Sequence, residues 1–350
     1  MFKKAQPFFI LIETPLHAGT GRDLGVVDLP IQRERHTDFP KIEGSGLKGS
    51  IREVFEETPG SEKSKKVDFI KNQNEFDIAV HLAFGYDDAG RLSSEVRKFF
   101  DKREKQQFSG ALGFTDARTL LFPVKSMRGV FAWITCPKVL ERFEKDLSLC
   151  KGINVENMVA EIAKLNPDEC LVCKDSSVTI ESNDEEYVIL EEYTFKVKEN
   201  IDKLKALESI GDKRIPEQLV ILHNDAFKDF VNLSTEVITR TKIDNKTGTV
   251  KKSALFTEEY LPCETILYSL ALTTPIFQSD DKNKGMFALT QDEKSKGLTE
   301  EQKVMDFFTS VLPEVMQIGG NATIGKGIVR MKILEKTNET TQNHQKSRTD

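Results

Sequence analysis

Residues 17–52 contain the side chains and spacing best suited to chemistry on a phosphate-bearing ligand. Gly19, Gly21 and Gly25 form a loop whose backbone can adopt positive φ and approach a ligand closely, because no Cβ atom intervenes. Asp28 follows within an apolar run, where a carboxylate is unfavourable unless it is paired or points outward. Several basic side chains surround these positions. The combination predicts a site that handles RNA.

A helix start further along the same stretch could hold a phosphate group. Ser45 is a suitable N-cap for a helix that begins near Gly46, and Lys48 and Arg52 lie on a face separate from the apolar one. Unpaired amides and the positive end of the helix dipole favour an anion there. The alternative is an ordinary capped helix with solvated basic side chains.

The glycine-rich segment 320–327, GNATIGKG, resembles a phosphate-binding loop in spacing but not in context. Gly327 occupies the position of the magnesium-binding Ser or Thr, and a predicted helix precedes the loop instead of following it. These departures argue against a nucleotidase. A turn that lets RNA or a neighbouring backbone approach closely is the better interpretation.

Residues 236–260 are predicted to form a basic hairpin. Over 236–243 the side chains alternate between two sides of a strand, and the sequence DNKTG then turns the chain back. One side carries Val237, Thr239 and Thr241, and the other carries Ile238, Arg240 and Lys242. Such an arm could press between nucleotides, although solvated charge on an ordinary hairpin is the more frequent explanation. Glu258 and Tyr260 lie near its base. The basic residues of the arm are Arg240, Lys242, Lys246, Lys251 and Lys252.

The composition limits the protein classes that are possible. The 350 residues are 38% hydrophobic and 30% charged, which suits two small domains or one elaborated domain. No apolar run is long enough to span a membrane, and no signal-peptide pattern follows the first apolar stretch. Five cysteines with a single C-x-x-C, Cys170 and Cys173, argue against a disulfide framework and against structural zinc. We therefore expect a cytoplasmic protein without a membrane partner.

The net charge of −6 argues against a nucleic-acid partner unless the charges are unevenly distributed. Residues 181–192 carry six acidic side chains and no basic ones, so the distribution is uneven. One face could hold RNA while the acidic segment faces solvent or a neighbouring subunit.

The elements that must position these residues alternate between strands and helices without the rhythm of a doubly wound sheet. Residues 150–215 are charged and look irregular. Trp133 is expected in the core. The predicted elements are a strand at 8–13, a strand pair at 111–126 and 129–136, a helix from Pro137, a buried strand at 219–222, a helix capped by Asn224 or Asp225, and a helix capped by Thr299 with Val304, Phe307, Phe308 and Val311 on its buried face.

Five strings in order carry a family resemblance: DLPIQRE (28–34), GSGLKGSIR (44–52), LLFPVKSMRGVFAWITCP (120–137), FTEEYLP (256–262) and GGNATIGKG (319–327). Together they resemble the RAMP superfamily and, within it, the repeated backbone subunit of the type III-B CRISPR effector, the fourth subunit of the Cmr complex. The resemblance spans nearly the whole chain.

The resemblance implies an α+β fold with an RRM-like (ferredoxin-like) RAMP core. One elaborated domain would span residues 1–335, and a disordered polar tail would span 336–350. The core would carry insertions at about 58–110 and 150–215, a projecting thumb β-hairpin at about 236–260, and a loop at about 276–298.

The resemblance also implies a function. The chain would stack with further copies of itself in a filament along guide CRISPR RNA, beside other Cmr subunits. It would cleave complementary target RNA at regular intervals, in a metal-dependent reaction with Mg or Mn. The alternative is a non-catalytic scaffold that binds guide RNA. A guide-processing ribonuclease would need a histidine set that the sequence lacks.

The resemblance assigns residues to this activity. Asp28 matches the catalytic Asp, and we expect it to bind a divalent metal or orient the RNA. His17, Glu258 and Tyr260 match residues that assist cleavage, and His17 could either move a proton or bind RNA. The predicted RNA-binding residues are Gly19, Gly21, Arg33, Ser45, Gly46, Lys48, Arg52, Ser126, Met127, Arg128, Arg240, Lys242, Gly319, Gly320 and Lys326.

Overall fold

The structure is a computed structural model, and the residues that it describes are 2–22, 25–57, 67–86, 92–101, 108–153, 162, 164–202, 204, 207, 209–251, 254–278 and 280–334. The predicted tail at 336–350 and Lys252 lie outside these residues, as do parts of the predicted insertions. No helix in the described part of the chain is long and apolar enough to cross a membrane.

A large mixed sheet organises the chain. The strands are β1 (Lys4–Ile12), β2 (Lys41–Ile42), β3 (Gly85–Tyr86), β4 (Phe108–Ser109), β5 (Leu112–Phe114), β6 (Ala117–Lys125), β7 (Phe131–Thr135), β8 (Glu169–Cys173), β9 (Ile180–Ser182), β10 (Glu185–Leu190), β11 (Tyr193–Ile201), β12 (Leu219–Leu222), β13 (Glu236–Arg240), β14 (Phe256–Tyr260), β15 (Ile266–Thr273), β16 (Val315–Gln317) and β17 (Ile328–Ile333). Thirteen of them form one sheet in the order β16-β17-β1-β15-β6-β7-β12-β8-β11-β10-β9, with β2 on β6 and β5 on β15. Only β8 with β11 and β7 with β12 pair in parallel within it.

Helices cover both faces of the sheet around β1. The Phe8 ring contacts Phe308 on one face, with ring centroids 5.8 Å apart. The next residue, Phe9, points to the other face and meets Phe143 at 6.0 Å. This two-sided burial explains why β1 is a continuous apolar run. The helices are Gly44–Glu57, Gln73–Phe84, Ser94–Asp101, Pro137–Leu147, Ile215–Gln218, Asn224–Leu233, Gln291–Ser295 and Glu300–Val311, with 3₁₀ turns at Asp281–Asn283, Gly285–Phe287 and Ala322–Ile324.

Most predicted elements are confirmed. The first strand, the strand pair β6 and β7, the strand β12 and the helices that begin at Pro137 and Glu300 occur where the patterns place them. The alternation and the DNKTG turn correctly predict the antiparallel pairing of β13 with β14. Trp133 is fully buried. The first part of the predicted 111–126 strand differs, because β5 pairs with β15.

Two predicted helix caps are wrong. Ser45 lies inside a helix that already begins at Gly44, whose amide donates to Asp116 Oδ1 at 2.9 Å. The cap therefore comes from a residue distant in sequence. The helix Asn224–Leu233 is capped by His223, whose Nδ1 accepts from the amide of Asp225, so neither Asn224 nor Asp225 is the cap.

The stretch 150–215 is more regular than its charge indicates. β8, β9, β10 and β11 lie within it and extend the large sheet. The exposed charged residues of β9 and β11 hide the strand pattern there, because few of their positions point to the core. The acidic segment 181–192 contains β10 and lies toward the sheet edge formed by β9, and its Glu185 forms an ion pair with Lys196 of β11.

The direction of three adjacent strands determines which loops meet. β1 runs antiparallel to β15 and to β17, so its end lies beside their beginnings. Leu11 is paired with Ile266, and Ile12 with Val329. The segments that follow β1, precede β15 and precede β17 are therefore brought together at one end of the sheet.

Candidate functional site

Backbone hydrogen bonds connect the three converging segments. The Leu16 amide donates to the Leu261 carbonyl at 3.0 Å, and the Leu261 amide donates back at 2.8 Å. The Gly320 amide donates to the His17 carbonyl at 2.9 Å. Residues near positions 17, 260 and 320 therefore share one site, although they are far apart in sequence.

Glu258 is the centre of a buried polar cluster at this site. Its Oε2 accepts a hydrogen bond from the Tyr260 hydroxyl at 2.6 Å and lies 2.7 Å from Arg240 Nε. Its Oε1 accepts from Asn321 Nδ2 at 2.7 Å and lies 3.7 Å from His17 Nε2. Burial opposes ionisation, but these hydrogen bonds and positive charges hold the pKa of Glu258 below its usual value. The carboxylate is therefore charged at neutral pH.

The tautomer of His17 follows from its partner. Nδ1 lies 2.7 Å from the Glu259 carbonyl oxygen, which can only accept, so Nδ1 carries the hydrogen. In the neutral ring, Nε2 then presents an unprotonated lone pair. This nitrogen faces the Glu258 carboxylate, with 3.7 Å between Nε2 and Oε1. His17 is thus oriented to accept and release a proton at Nε2.

Two glycines make room for His17. A Cβ atom on Gly19 would lie 2.4 Å from Nε2 of the imidazole. A Cβ atom on Gly319, where φ is +84°, would lie 2.4 Å from the carbonyl oxygen of His17. The close approach expected of the glycine-rich loop is therefore made to a neighbouring backbone.

Tyr260 lies between hydrogen-bond partners and cations. Its hydroxyl donates to Glu258 and accepts from Arg240 Nη2, and Lys326 Nζ lies 5.0 Å from the ring centroid. Burial and the hydrogen bond to the Glu258 carboxylate raise the pKa of Tyr260 to about 12. Tyr260 therefore stays protonated at neutral pH and acts as a hydrogen-bond donor.

Asp28 lies beside this cluster but is not part of it. Its Oδ2 accepts from the Thr257 amide at 2.7 Å and from the Thr257 hydroxyl at 2.9 Å. These two hydrogen bonds hold the pKa of the exposed Asp28 carboxyl below its usual value. Leu29 pairs with Glu258, which joins the Asp28 segment to the edge of β14. No hydrogen bond or ion pair within the described residues connects Asp28 directly to His17, Glu258 or Tyr260.

The donor set limits how a divalent ion could be held. Within the described ranges, no group of three or more His, Cys, Asp or Glu side chains is arranged to bind a metal. Mg²⁺ often uses one or two protein carboxylates, with phosphate and water completing its shell. The exposed Asp28 fits that mode of binding, with RNA supplying the phosphate. A cage made only of protein ligands does not fit.

Several residues predicted to bind RNA have internal partners. Arg33 donates to Glu259 Oε1 at 2.6 Å and also to carbonyls of Asp38 and Val231. Lys48 donates to the Leu112 carbonyl at 2.9 Å, and burial lowers its pKa. Arg52 pairs with Glu56 at 2.7 Å. The structure thus uses Arg33 and Lys48 to connect elements.

The other predicted RNA-binding residues lie in several separate places. Arg240, Lys326, Gly19, Gly319 and Gly320 surround the cluster. Ser45 and Gly46 are exposed at the start of a helix, and Gly21 and Lys242 are exposed elsewhere. The turn between β6 and β7 carries Ser126, Met127 and Arg128; Met127 is 73% exposed, and Arg128 donates to the Thr179 carbonyl at 2.8 Å.

Sequence reasoning missed three residues that hold the site together: Thr257, Glu259 and Asn321. Glu259 is buried and binds both Arg33 and the Ile31 amide. Asn321 donates to Glu258 and to the Tyr260 hydroxyl. The only available signal for Asn321 was its residue type, because asparagine adopts the left-handed conformation more readily than most residues.

The chain is similar to known proteins over nearly its whole length. A family model described as the RAMP superfamily matches residues 9–330. The chain is 35% identical over 335 residues to the CRISPR system Cmr endoribonuclease Cmr4 of Pyrococcus furiosus, covering 93% of this chain and 94% of that protein. It is 22% identical over 355 residues to the CMR subunit Cmr4 of Saccharolobus solfataricus, covering 94% and 96%.

Solved structures share the fold. The crystal structure of oligomeric Cmr4 from Pyrococcus furiosus aligns with a TM-score of 0.60 and 29% identity, over 95% of this chain and 99% of that chain. A chain of the type III-B Cmr-beta complex bound to cognate target RNA aligns with a TM-score of 0.62 and 20% identity, over 95% and 98%. At that lower identity the likeness shows the fold alone.

Proposed function

This chain belongs to the RAMP superfamily, and we propose that it is a repeated backbone subunit of a CRISPR RNA-guided effector that cuts target RNA. Its similarity to an endoribonuclease over nearly the full length supports this proposal. The observation that carries it is the meeting of His17, Glu258 and Tyr260 at one end of the sheet, beside the charged and exposed Asp28. A pure scaffold has no need of such a cluster.

The cluster suits cleavage by the 2′-hydroxyl of the target RNA. The 2′-oxygen forms a bond to phosphorus, the bond to the 5′-oxygen breaks, and the products are a 2′,3′-cyclic phosphate and a 5′-hydroxyl. His17 Nε2 accepts the proton of the 2′-hydroxyl, and water returns a proton to the leaving oxygen. Arg240 and Lys326 provide positive charge beside the phosphate.

Asp28 supplies the exposed charge of the site. Because it is ionised, it can orient RNA hydroxyls or hold a divalent ion, Mg or Mn, against a phosphate oxygen. Such an ion would neutralise phosphate charge during cleavage. The exposure of Asp28 leaves its carboxylate open to either partner.

The finer architecture belongs to the same proposal. Residues 1–335 form one RRM-like domain with insertions, and the β13–β14 hairpin acts as a thumb that separates a nucleotide of the target from its neighbours. The hairpin exposes apolar residues beside its basic ones, with Val237, Ile243 and Val250 each at least half exposed. Spreading the nucleotides would align the attacking and leaving oxygens, which itself accelerates cleavage.

The proposed partners are guide CRISPR RNA, complementary target RNA, further copies of this chain in a filament and other Cmr subunits. Their place is the cytoplasm. A solved relative described as oligomeric Cmr4 supports the self-association. Base pairing with the guide would select the target, so the protein would contact it through backbone and shape.

The test is cleavage by the reconstituted complex carrying Asp28→Asn. We expect target binding within about twofold of native and loss of the regularly spaced fragments by at least about 100-fold. Asp292→Asn, which alters an exposed carboxylate in the helix Gln291–Ser295, is the matched control. The same assay without Mg and Mn tests whether cleavage depends on a divalent ion. If Asp28→Asn cleaves like native, the chain is a scaffold and the proposal is wrong.

A further inference from the structure

We propose that Asn321 is a positioning residue of the cleavage site, holding the Glu258 carboxylate and the Tyr260 hydroxyl in place for His17. The inference rests on the proposed function, because positioning has a meaning only relative to that reaction. Asn321 lies on the glycine-rich loop between β16 and β17, and no role in catalysis follows from its sequence position alone.

Asn321 closes a ring of hydrogen bonds. Its Nδ2 donates to Glu258 Oε1 at 2.7 Å and to the Tyr260 hydroxyl at 3.1 Å, and Tyr260 donates to Glu258 Oε2 at 2.6 Å. An ionised carboxylate only accepts, and the Tyr260 proton is used on Glu258. The amide nitrogen is therefore the atom that must face both partners, which determines the orientation of the side chain.

The bond to Oε1 matters because the same oxygen faces His17 Nε2 at 3.7 Å. Arg240 and Tyr260 hold the other oxygen, Oε2. Asn321 is thus the neutral donor that determines where the Oε1 charge lies relative to the imidazole. Without it, the carboxylate could rotate about its Oε2 partners and leave Nε2 without a positioned anion.

The backbone of Asn321 adds a second connection. Its φ of 67° and ψ of 28° lie in the left-handed region, which asparagine tolerates better than most residues. The preceding Gly320 amide holds the His17 carbonyl, and the Asn321 carbonyl accepts from the Lys326 amide at 3.3 Å. The loop therefore contacts both the His17 backbone and the Glu258–Tyr260 pair. Its internal bond to the Lys326 amide also fixes the backbone of the lysine that lies over the Tyr260 ring.

Asn321→Gly is the cleanest test, because glycine keeps the left-handed backbone and removes only the amide side chain. Asn321→Ala would add backbone strain and confuse the result. Asn183→Gly is the matched control: Asn183 also has positive φ, at 53°, but lies in the exposed turn between β9 and β10. Asn321→Asp keeps the shape and places a negative charge against Glu258.

In the reconstituted complex, we expect Asn321→Gly to bind guide and target like native and to cleave about 10-fold to 50-fold more slowly. Loss of the donor raises the pKa of Glu258, so the acid limb of the pH–rate profile moves to higher pH. Asn321→Asp should be slower still, and Asn183→Gly should match native in rate and profile.

The Glu258 carboxyl titration in the protein, followed by NMR, provides a readout that does not depend on cleavage. A higher pKa in Asn321→Gly than in native supports the positioning contact, and an unchanged titration overturns it. A native cleavage rate and pH profile in Asn321→Gly would also overturn the proposal, as would loss of complex assembly. If Asp28→Asn cleaves like native while Asn321→Gly alters the titration, the proposed function has failed and the contact has not.

Discussion

Glu258 of β14 and Asp28, in the segment beside β14, hold their negative charges in different ways. Glu258 is only 4% exposed and has hydrogen-bond or ionic partners on both carboxylate oxygens. Asp28, bound to the neighbouring Thr257, is exposed and uses Oδ2 for both of its hydrogen bonds from Thr257. Adjacent strand positions point to opposite sides, so the two carboxylates are presented separately.

The difference in burial indicates that the two carboxylates have different functions in the site. The buried cluster of His17, Glu258 and Tyr260 is assembled before RNA arrives, because its members already hold one another. The Asp28 region remains open to a phosphate, a hydroxyl or a cation. The buried cluster can act on RNA without rearranging, because its groups are already in position. The exposed Asp28 can bind a partner directly, because nothing has to move to uncover it. Substitutions in the buried cluster should therefore lower the cleavage rate strongly or lower the unfolding free energy. Substitutions around Asp28 that spare its carboxylate should change the cleavage rate only slightly.

Among substitutions that leave Asp28 and the cluster side chains in place, the largest effect is expected from Gly19→Ala. The new Cβ would lie 2.4 Å from His17 Nε2, so the imidazole must move. Because a small displacement of a reacting group slows a reaction strongly, we expect the cleavage rate to fall about 100-fold while RNA binding persists. Gly49→Ala is the control, since a Cβ there meets no atom within 4 Å. Loss of RNA binding in Gly19→Ala would instead assign the glycine to an RNA contact.

A smaller effect is expected on stability from Glu258→Gln. We expect the unfolding free energy to fall by about 1–2 kcal/mol at pH 7, because Arg240 and His17 lose their anion. The folded pKa of Glu258 lies below its ordinary value of 4.5, so its contribution is present above that pH and is lost as the pH falls through the folded value.

Urea unfolding between pH 7 and pH 3 measures this contribution. The gap between native and Glu258→Gln should narrow as the pH decreases, and a constant gap would contradict the ionic role. Glu192→Gln, at an exposed position, should stay within about 0.5 kcal/mol of native throughout.

The smallest effect is expected from Thr257→Val in the open region. The valine removes the hydroxyl that donates to Asp28 but keeps the amide donor, so the pKa of Asp28 rises toward its usual value. We expect cleavage to fall about twofold to fivefold. Thr194→Val alters an exposed threonine of β11 and should leave the rate unchanged. A drop as large as that of Gly19→Ala would show that Asp28 is also held rigidly.

The elements that could be predicted from the sequence are those whose burial pattern is contained in their own residues. The apolar run of β1, the alternation of β13 and the stripe of Phe307, Phe308 and Val311 all report their own burial. The Ser45 cap failed because Asp116, in the connection between β5 and β6, accepts the hydrogen bond from the Gly44 amide. The Asn224 or Asp225 cap failed because His223 caps that helix instead. Strands β9 and β11 were hidden because most of their side chains are exposed.

For the site, residue types were predictable but their relations were not. Asp28, His17, Glu258 and Tyr260 follow from the family resemblance, and their roles stay predictions. Which of them touch depends on the antiparallel order of β1, β15 and β17, which no local pattern contains. Arg33 shows the same limit: its charge suggested RNA, whereas its partner is Glu259, more than two hundred positions away.

The pairing of β1 has a consequence for the synthesis of the chain. β1 leaves the ribosome before the other described strands, yet its strand partners are β15 and β17, which lie near the far end of the described residues. Until those strands are made, its backbone donors and acceptors lack their sheet partners, which is a state prone to wrong pairing. His17 likewise waits for Tyr260 and Gly320. An unfinished chain therefore lacks the assembled cluster and, under the proposed function, cannot yet cut RNA.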